Sequence, residues 1–250
     1  MNISVYKNAS ELGNAAGEIA GRFIQEAIEA KGTANIILAT GTSQFETINR
    51  FIAANVDWSK VVMFHLDEYI GLPVTHPASF RKYLQDKFLS KVPPLQHAWL
   101  INGEVNPEQE CNRLGELIAR HPIDLALVGI GENGHLAFND PPADFETGKP
   151  YIIVELDEAC RKQQWGEGWF GSIEDVPRRA ISMSVKQMLQ SKHIICSVPD
   201  SRKALAVKNT LEQQVSNLYP ASILQTHPGC HLYLDENSAA LLSKNIPVSL

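Results

Sequence analysis

Apolar positions along the chain follow two alternating rhythms. Leu12, Ala16, Ile19, Phe23, Ala27 and Ile28 recur at helical spacing, and Gly32 follows them. This predicts a long amphipathic helix ended by a glycine cap. Shorter, continuous apolar runs predict buried strands at 35–39, 61–66, 124–130, 151–154, 181–185, 193–198 and 230–234, with 124–130 the central one. Between them, Ser43-Gln44-Phe45-Glu46 reads as a capping box that opens a helix. Pro77 suits the first turn of a helix carrying Phe80, Tyr83, Leu84 and Phe88. Asn106-Pro107-Glu108-Gln109 starts another, with Cys111, Leu114, Leu117 and Ile118 facing inward, and a further helix runs from about 201 to 211. Alternating strands and helices predict an α/β fold, a Rossmann-like open, mostly parallel sheet with helices on both faces. No repeat or linker interrupts the pattern, so residues 1–250 are expected to form a single domain. The stretch from about 145 to 179 is the exception. After one strand it runs through Gln163, Gln164, Trp165, Gly166, Glu167, Gly168, Trp169 and Phe170 with little periodicity, as a lid or as a surface excursion whose aromatics pack on the core.

Composition narrows the function classes. An apolar fraction of 44% fills an ordinary soluble core, and a net charge of -6 argues against a nucleic-acid partner. No run is long enough for a membrane span, and the N-terminus lacks a basic region followed by an apolar one. Cys111, Cys160, Cys196 and Cys230 are scattered without a C-x-x-C pair, which predicts buried free thiols and a cytoplasmic location.

The candidate chemistry sits where strands end. Open α/β sheets bind ligands at the carboxyl ends of their strands. Gly129-Ile130-Gly131-Glu132-Asn133-Gly134-His135 follows the central strand, and Asn139 and Asp140 lie just beyond. This places a histidine in a glycine-rich turn among amides and a carboxylate, a candidate acid/base. The G-x-G-x-x-G spacing also fits a dinucleotide fingerprint. Pro141, Pro142 and Pro150, however, interrupt the helix that fingerprint requires. Thr40-Gly41-Thr42-Ser43 offers hydroxyls and backbone N–H groups at a helix start, which favours phosphate. Asp67 and Glu68 follow another strand end, where neighbouring side chains point apart, so one can face a ligand while the other anchors the loop. Lys203 near a helix start is a candidate phosphate cation.

Taken together, these segments resemble the glucosamine-6-phosphate deaminase (isomerase) family. The resemblance rests on Leu38-Ala39-Thr40-Gly41-Thr42-Ser43, on Leu66-Asp67-Glu68-Tyr69-Ile70-Gly71-Leu72-Pro73 with His76, Pro77 and Ser79, and on the stretch from Gly131 to Pro141. Ser201-Arg202-Lys203-Ala204-Leu205-Ala206, Pro220-Ala221-Ser222 and His227-Pro228 extend it. The resemblance implies a sugar-phosphate isomerase-like fold and an aminosugar phosphate as partner, with neither cofactor nor metal. It leaves open whether the chain is a homo-oligomer. By analogy His135 moves a proton at the sugar ring oxygen and Asp67 moves one between C2 and C1, while Thr40, Gly41, Thr42, Ser43 and Lys203 hold the phosphate. Three positions depart from the family pattern. Asn133 stands where aspartate is common, Asp140 where glutamate is common, and no arginine stands near Gly168-Trp169, which leaves Arg161, Lys162, Arg178 or Arg179 to substitute. Asparagine at the first position also occurs in galactosamine-6-phosphate isomerase relatives. A hydrolase similar to 6-phosphogluconolactonase and a non-catalytic sugar-phosphate sensor are the competing readings. The first usually carries Asp-Glu-Arg where this chain has Asp67-Glu68-Tyr69.

Overall fold

A computed structural model describes residues 1–243. In chain order the elements are β1 (Asn2–Tyr6), α1 (Ala9–Lys31), β2 (Ala34–Leu38), α2 (Phe45–Ile52), β3 (Val61–His65), β4 (Asp67–Tyr69), α3 (Phe80–Lys87), β5 (His97–Trp99) and α4 (Pro107–Ile118). They continue as β6 (Leu125–Val128), β7 (Tyr151–Glu155), α5 (Glu158–Gly166), β8 (Arg179–Met183), α6 (Val185–Met188), β9 (His193–Val198), α7 (Ala204–Glu212) and β10 (Cys230–Asp235). The main sheet has seven strands, ordered β1-β10-β9-β6-β2-β3-β5, and every pairing in it is parallel. β6 is its middle strand, as the long apolar run at 124–130 suggests.

Burial on both faces explains why these strands read as continuous apolar runs rather than alternating ones. Ile36 and Leu38 of β2 pack with Leu12, Ala16 and Ile24 of α1 and Phe51 of α2. Ile37 points the other way, with Leu114 and Ile118 of α4 and Val207 of α7. Each fully buried Leu or Ile contributes about 1.5–3 kcal/mol. Gly32 closes α1 in a left-handed conformation, its N–H donating to the Ile28 carbonyl. No described helix is long and apolar enough to cross a membrane.

A second, three-stranded antiparallel sheet, β4-β8-β7, stands at the end of β3. Met183 N–H donates to the Leu66 carbonyl at 2.6 Å, and the Tyr151 hydroxyl donates to the His65 carbonyl at 3.2 Å. Tyr69, Phe138 and Phe170 form a third apolar cluster there, with Tyr69 ring centroids 5.3 Å from Phe138 and 5.6 Å from Phe170.

Several local expectations are corrected. Ser43 caps nothing. Thr42–Gln44 is a short 3-10 turn, α2 starts at Phe45, and no side chain bonds its first turn. Ser79, not Pro77, begins α3, and its hydroxyl accepts from Lys82 N–H. The run at 181–185 is shifted: its strand ends at Met183, and Val185 already belongs to α6. Residues 158–166, read as irregular, form α5. The four cysteines are free thiols, of which Cys111 is only partly buried.

Candidate active site

The chain leaves β2 toward β3 and β5 on one side, and leaves β6 toward β9 and β10 on the other. That reversal between β2 and β6 opens a crevice beyond their carboxyl ends. A cleft lies there. Its lining includes Thr40, Gly41, Thr42, Ser43, Asp67, His135 and Lys203. A larger groove of about 2420 Å³ runs between α4 and β7. It reaches Asp140 from behind but contains neither Asp67, His135 nor Lys203.

The first loop is held from below. Gly41 has φ 98°, a conformation that a side chain disfavours, and this turn starts the 3-10 segment. Buried Gln44 then donates from Nε2 to the carbonyls of Val128 and Ser197, each at 3.3 Å, while Thr47 Oγ1 donates to Ser197 Oγ at 2.9 Å. The ends of β6 and β9 thereby fix the loop after β2.

Asp67 and Glu68 divide as neighbouring residues on a strand must. Asp67 lines the cleft. Glu68 points away and accepts from Ser79 Oγ at 2.8 Å, Arg81 N–H at 2.9 Å and Phe80 N–H at 3.2 Å. Arg81 Nε approaches it at 3.4 Å. Burial, reinforced by the charge of Glu68, pushes the Asp67 carboxyl up to about 8. Buried His65, beneath them, accepts from Ile101 N–H at Nε2, and burial together with the Arg81 charge lowers it to about 3, so it stays neutral.

The histidine loop turns back on itself instead of entering a helix, which removes the dinucleotide reading. Gly131 N–H donates to the His135 carbonyl at 2.9 Å, and Gly134 N–H donates to the Gly131 carbonyl at 3.0 Å. The His135 imidazole lies against Gly131, where any Cβ would overlap the ring. Asp140 Oδ1 stands 2.9 Å from His135 Nδ1 and accepts from Asn133 Nδ2 at 2.9 Å. Asn133 Oδ1 in turn accepts from His135 N–H at 3.1 Å. Asp140 and Asn133 do not line the cleft; they orient the ring from behind. Burial raises the Asp140 carboxyl. The bonds from His135, Asn133 and Asp157 N–H outweigh that and hold it below the usual range. His135, Asp140 and Cys160 bring ligand atoms within 4.8 Å of one another. Burial and the adjacent carboxylates push the Cys160 thiol far up, so beside Asp140 it is a neutral thiol.

Gln163, Gln164, Glu167 and Arg202 also line the cleft. Sequence reading did not single them out as site residues. Gln163 and Gln164 on α5, and Glu167 just beyond its end, look like a polar surface until Tyr69 OH is seen to donate to Gln164 Oε1 at 2.7 Å, and Glu132 N–H to Gln163 Oε1 at 2.9 Å. Arg202 sits beside Lys203, the one available signal. Of the basic residues proposed to replace the lid arginine, Arg161 donates to the Ile173 and Val176 carbonyls, Lys162 pairs with Glu158, and Arg179 pairs with Glu155. Neither these residues nor Arg178 line the cleft.

Comparison with known proteins gives this geometry a relationship. The sequence profile of the family described as glucosamine-6-phosphate isomerases/6-phosphogluconolactonase matches residues 7–232. A glucosamine-6-phosphate deaminase of Lactobacillus delbrueckii subsp. bulgaricus is 35% identical over 97% of this chain and 100% of its own length. One from Streptococcus pneumoniae is 35% identical over 91% of this chain and 95% of its own. A solved monomeric glucosamine-6-phosphate deaminase superposes with TM-score 0.88 at 31% identity, covering 96% of this chain and all (100%) of that one. A 6-phosphogluconolactonase from Trypanosoma brucei shares the fold, with TM-score 0.79 at 17% identity over 97% of this chain and 98% of its own. With the profile spanning most of its length and relatives matched nearly end to end, the chain belongs to the glucosamine-6-phosphate isomerase/6-phosphogluconolactonase family.

Proposed function

We propose that this chain is a glucosamine-6-phosphate deaminase, converting glucosamine 6-phosphate and water to fructose 6-phosphate and ammonia. The observation that carries the reading is the shared cleft of Asp67 and His135, two proton-transfer groups on different strand ends, beside the buried cation Lys203. The similarity to deaminases along the whole chain supports it.

In this mechanism His135, with Nδ1 engaged by Asp140, uses its other ring nitrogen to move a proton at the ring oxygen and open the sugar. Asp67 in its ionised form takes the C2 proton, giving an enolamine, and returns the proton to C1. The resulting fructose imine adds water and expels ammonia. Proton transfers of this kind need no metal or cofactor, only correctly placed acids and bases. Thr40, Gly41, Thr42, Ser43 and Lys203 hold the phosphate. The segment from 145 to 179, with α5 over the cleft, acts as the lid, and residues 1–250 work as one domain. An enzyme of this kind, acting on a small phosphorylated sugar, belongs in the cytoplasm.

Galactosamine 6-phosphate is the second reading, favoured by one residue, Asn133, which bonds both Asp140 and the His135 backbone. The test follows ammonia and fructose 6-phosphate together from purified protein, with Asp67→Asn as control. Equal amounts of both products, lost in the variant, are expected. Product from galactosamine 6-phosphate alone changes the sugar. Hydrolysis of 6-phosphogluconolactone without ammonia release from either aminosugar rejects deamination.

A further inference from the structure

We propose that Arg202 is the second cation of the phosphate site, a place that no basic residue of the 145–179 segment fills. This rests on the sugar-phosphate reading above. A phosphate monoester at neutral pH carries close to two negative charges, and a planar guanidinium matches its oxygens with paired N–H donors. Lys203 supplies one cation. Its side chain is buried at 7% exposure, and no carboxylate oxygen stands within 4.0 Å of its ammonium among the described residues. A buried ammonium with no carboxylate in direct contact, facing a cleft, suits an anionic ligand. The basic side chains of the lid segment do not reach the cleft, as described above. Arg202 does.

The loop before α7 is built around that guanidinium. Asp200 has φ 90°, a conformation usually left to glycine, and both carboxylate oxygens of Asp235 hold its N–H at 3.2 Å. Strain of this type persists where the surroundings over-determine it, commonly at ligand sites. The Asp200 carboxylate accepts from Arg202 N–H at 3.0 Å, Nε at 3.1 Å and NH2 at 2.9 Å. One edge of the fork is thus pinned. The other terminal nitrogen, NH1, meets Glu132 at a loose 3.4 Å and no other carboxylate among the described residues. Glu132 thus engages this nitrogen weakly. A phosphate takes NH1 from Glu132, while Asp200 keeps the guanidinium aimed.

The test compares wild type, Arg202→Gln and Arg202→Lys. It measures KM and kcat for glucosamine 6-phosphate, the Kd of inorganic phosphate by calorimetry, and the thermal midpoint without ligand. Losing a charge-assisted contact predicts a rise in KM and in phosphate Kd of about 10- to 100-fold in Arg202→Gln, with kcat little changed. Arg202→Lys restores part of the affinity because it keeps the charge but not the fork. A purely structural arginine would instead lower the midpoint and leave phosphate Kd unchanged, and that result overturns the proposal. So does an unchanged KM in an active enzyme. If wild type does not turn over the sugar phosphate, the deaminase reading fails, and the phosphate arm still decides. Weaker phosphate binding by Arg202→Gln then supports the site, and binding equal to wild type rejects it.

Discussion

Asp67 and Glu68 are adjacent carboxylates with opposite tasks, and their surroundings make the difference. Glu68 is surrounded by donors and ties β4 to α3. Asp67 faces the cleft, where burial and the Glu68 charge favour its neutral form. If Asp67 is the C2 base it must lose that proton. The acid limb of kcat/KM is therefore expected near pH 8, the value to which burial raises the carboxyl. Asp67→Asn is expected to lower kcat by about 10²–10⁴-fold. A limb near pH 4 would show that burial does not control this group. The same shift has a stability consequence. Unfolded, the carboxyl titrates near 3.8; folded, near 8. Between those values the folded chain keeps a proton that the unfolded chain has released, so this group makes folding less favourable as pH rises through the window. Asp67→Asn removes the effect. Its thermal midpoint is expected to exceed that of wild type at pH 8 by about 2–4 °C for each kcal/mol relieved, with a smaller gain near pH 4. An equal midpoint at both pH values counts against the shift.

At the scale of elements, α5 links Asp140, the partner of His135, to the wall of the cleft. Asp157 caps it, accepting from Cys160 N–H at 2.6 Å, while its own N–H donates to Asp140 at 3.2 Å. Further along, Gln163, Gln164 and Glu167 line the cleft. Asp157→Ala is expected to cost about 1 kcal/mol of local stability. Amide exchange in 158–166 should then accelerate ahead of the main sheet, and kcat/KM should fall several-fold because α5 no longer holds its lining residues in place. Unchanged exchange in those residues would deny the cap that role. This helix also marks where sequence reading stopped. The long helix α1 and the buried strands β2, β3, β6, β9 and β10 show a strong apolar rhythm because they pack on a large core. In α5 only Cys160 and Gln164 are buried, so its pattern carries no helical signature. β4 and β5 have three residues each, too few for a period, and β1 is an edge strand in which Ile3 alone is buried. Of the cleft lining, the loops at strand ends are legible because glycine, histidine and acids stand out there. Gln163, Gln164, Glu167 and Arg202 are not, since polar residues facing a cleft look like polar residues facing water. Ser43 misled because S-x-x-E satisfies the capping pattern, while Gly41 sends the backbone into a 3-10 turn instead.

For the molecule as a whole, the cleft lies between the parallel sheet and the smaller sheet with α5, which share one apolar core. Thr40, Gly41, Thr42, Ser43 and Lys203 belong to the first, Gln163, Gln164 and Glu167 to the second, and all line one cleft. A ligand that touches both sides stabilises their docking, and only the folded chain can bind it. By linkage, a product such as fructose 6-phosphate at 100 times its Kd adds about 2.7 kcal/mol. In a chain of this size that raises the thermal midpoint by roughly 5–10 °C. Lys203→Met separates stability from function. Burial lowers the Lys203 ammonium below its ordinary value, so the folded state holds this charge at a cost that an apolar side chain of similar length avoids. The variant is expected to match or exceed wild type in the absence of ligand and to lose most of the shift on adding fructose 6-phosphate. A variant that is destabilised when empty yet keeps the ligand shift would mean that Lys203 supports the start of α7 and leaves the phosphate to other groups. The opposite pattern, a sturdier protein that binds nothing, is what a cation kept for a ligand requires.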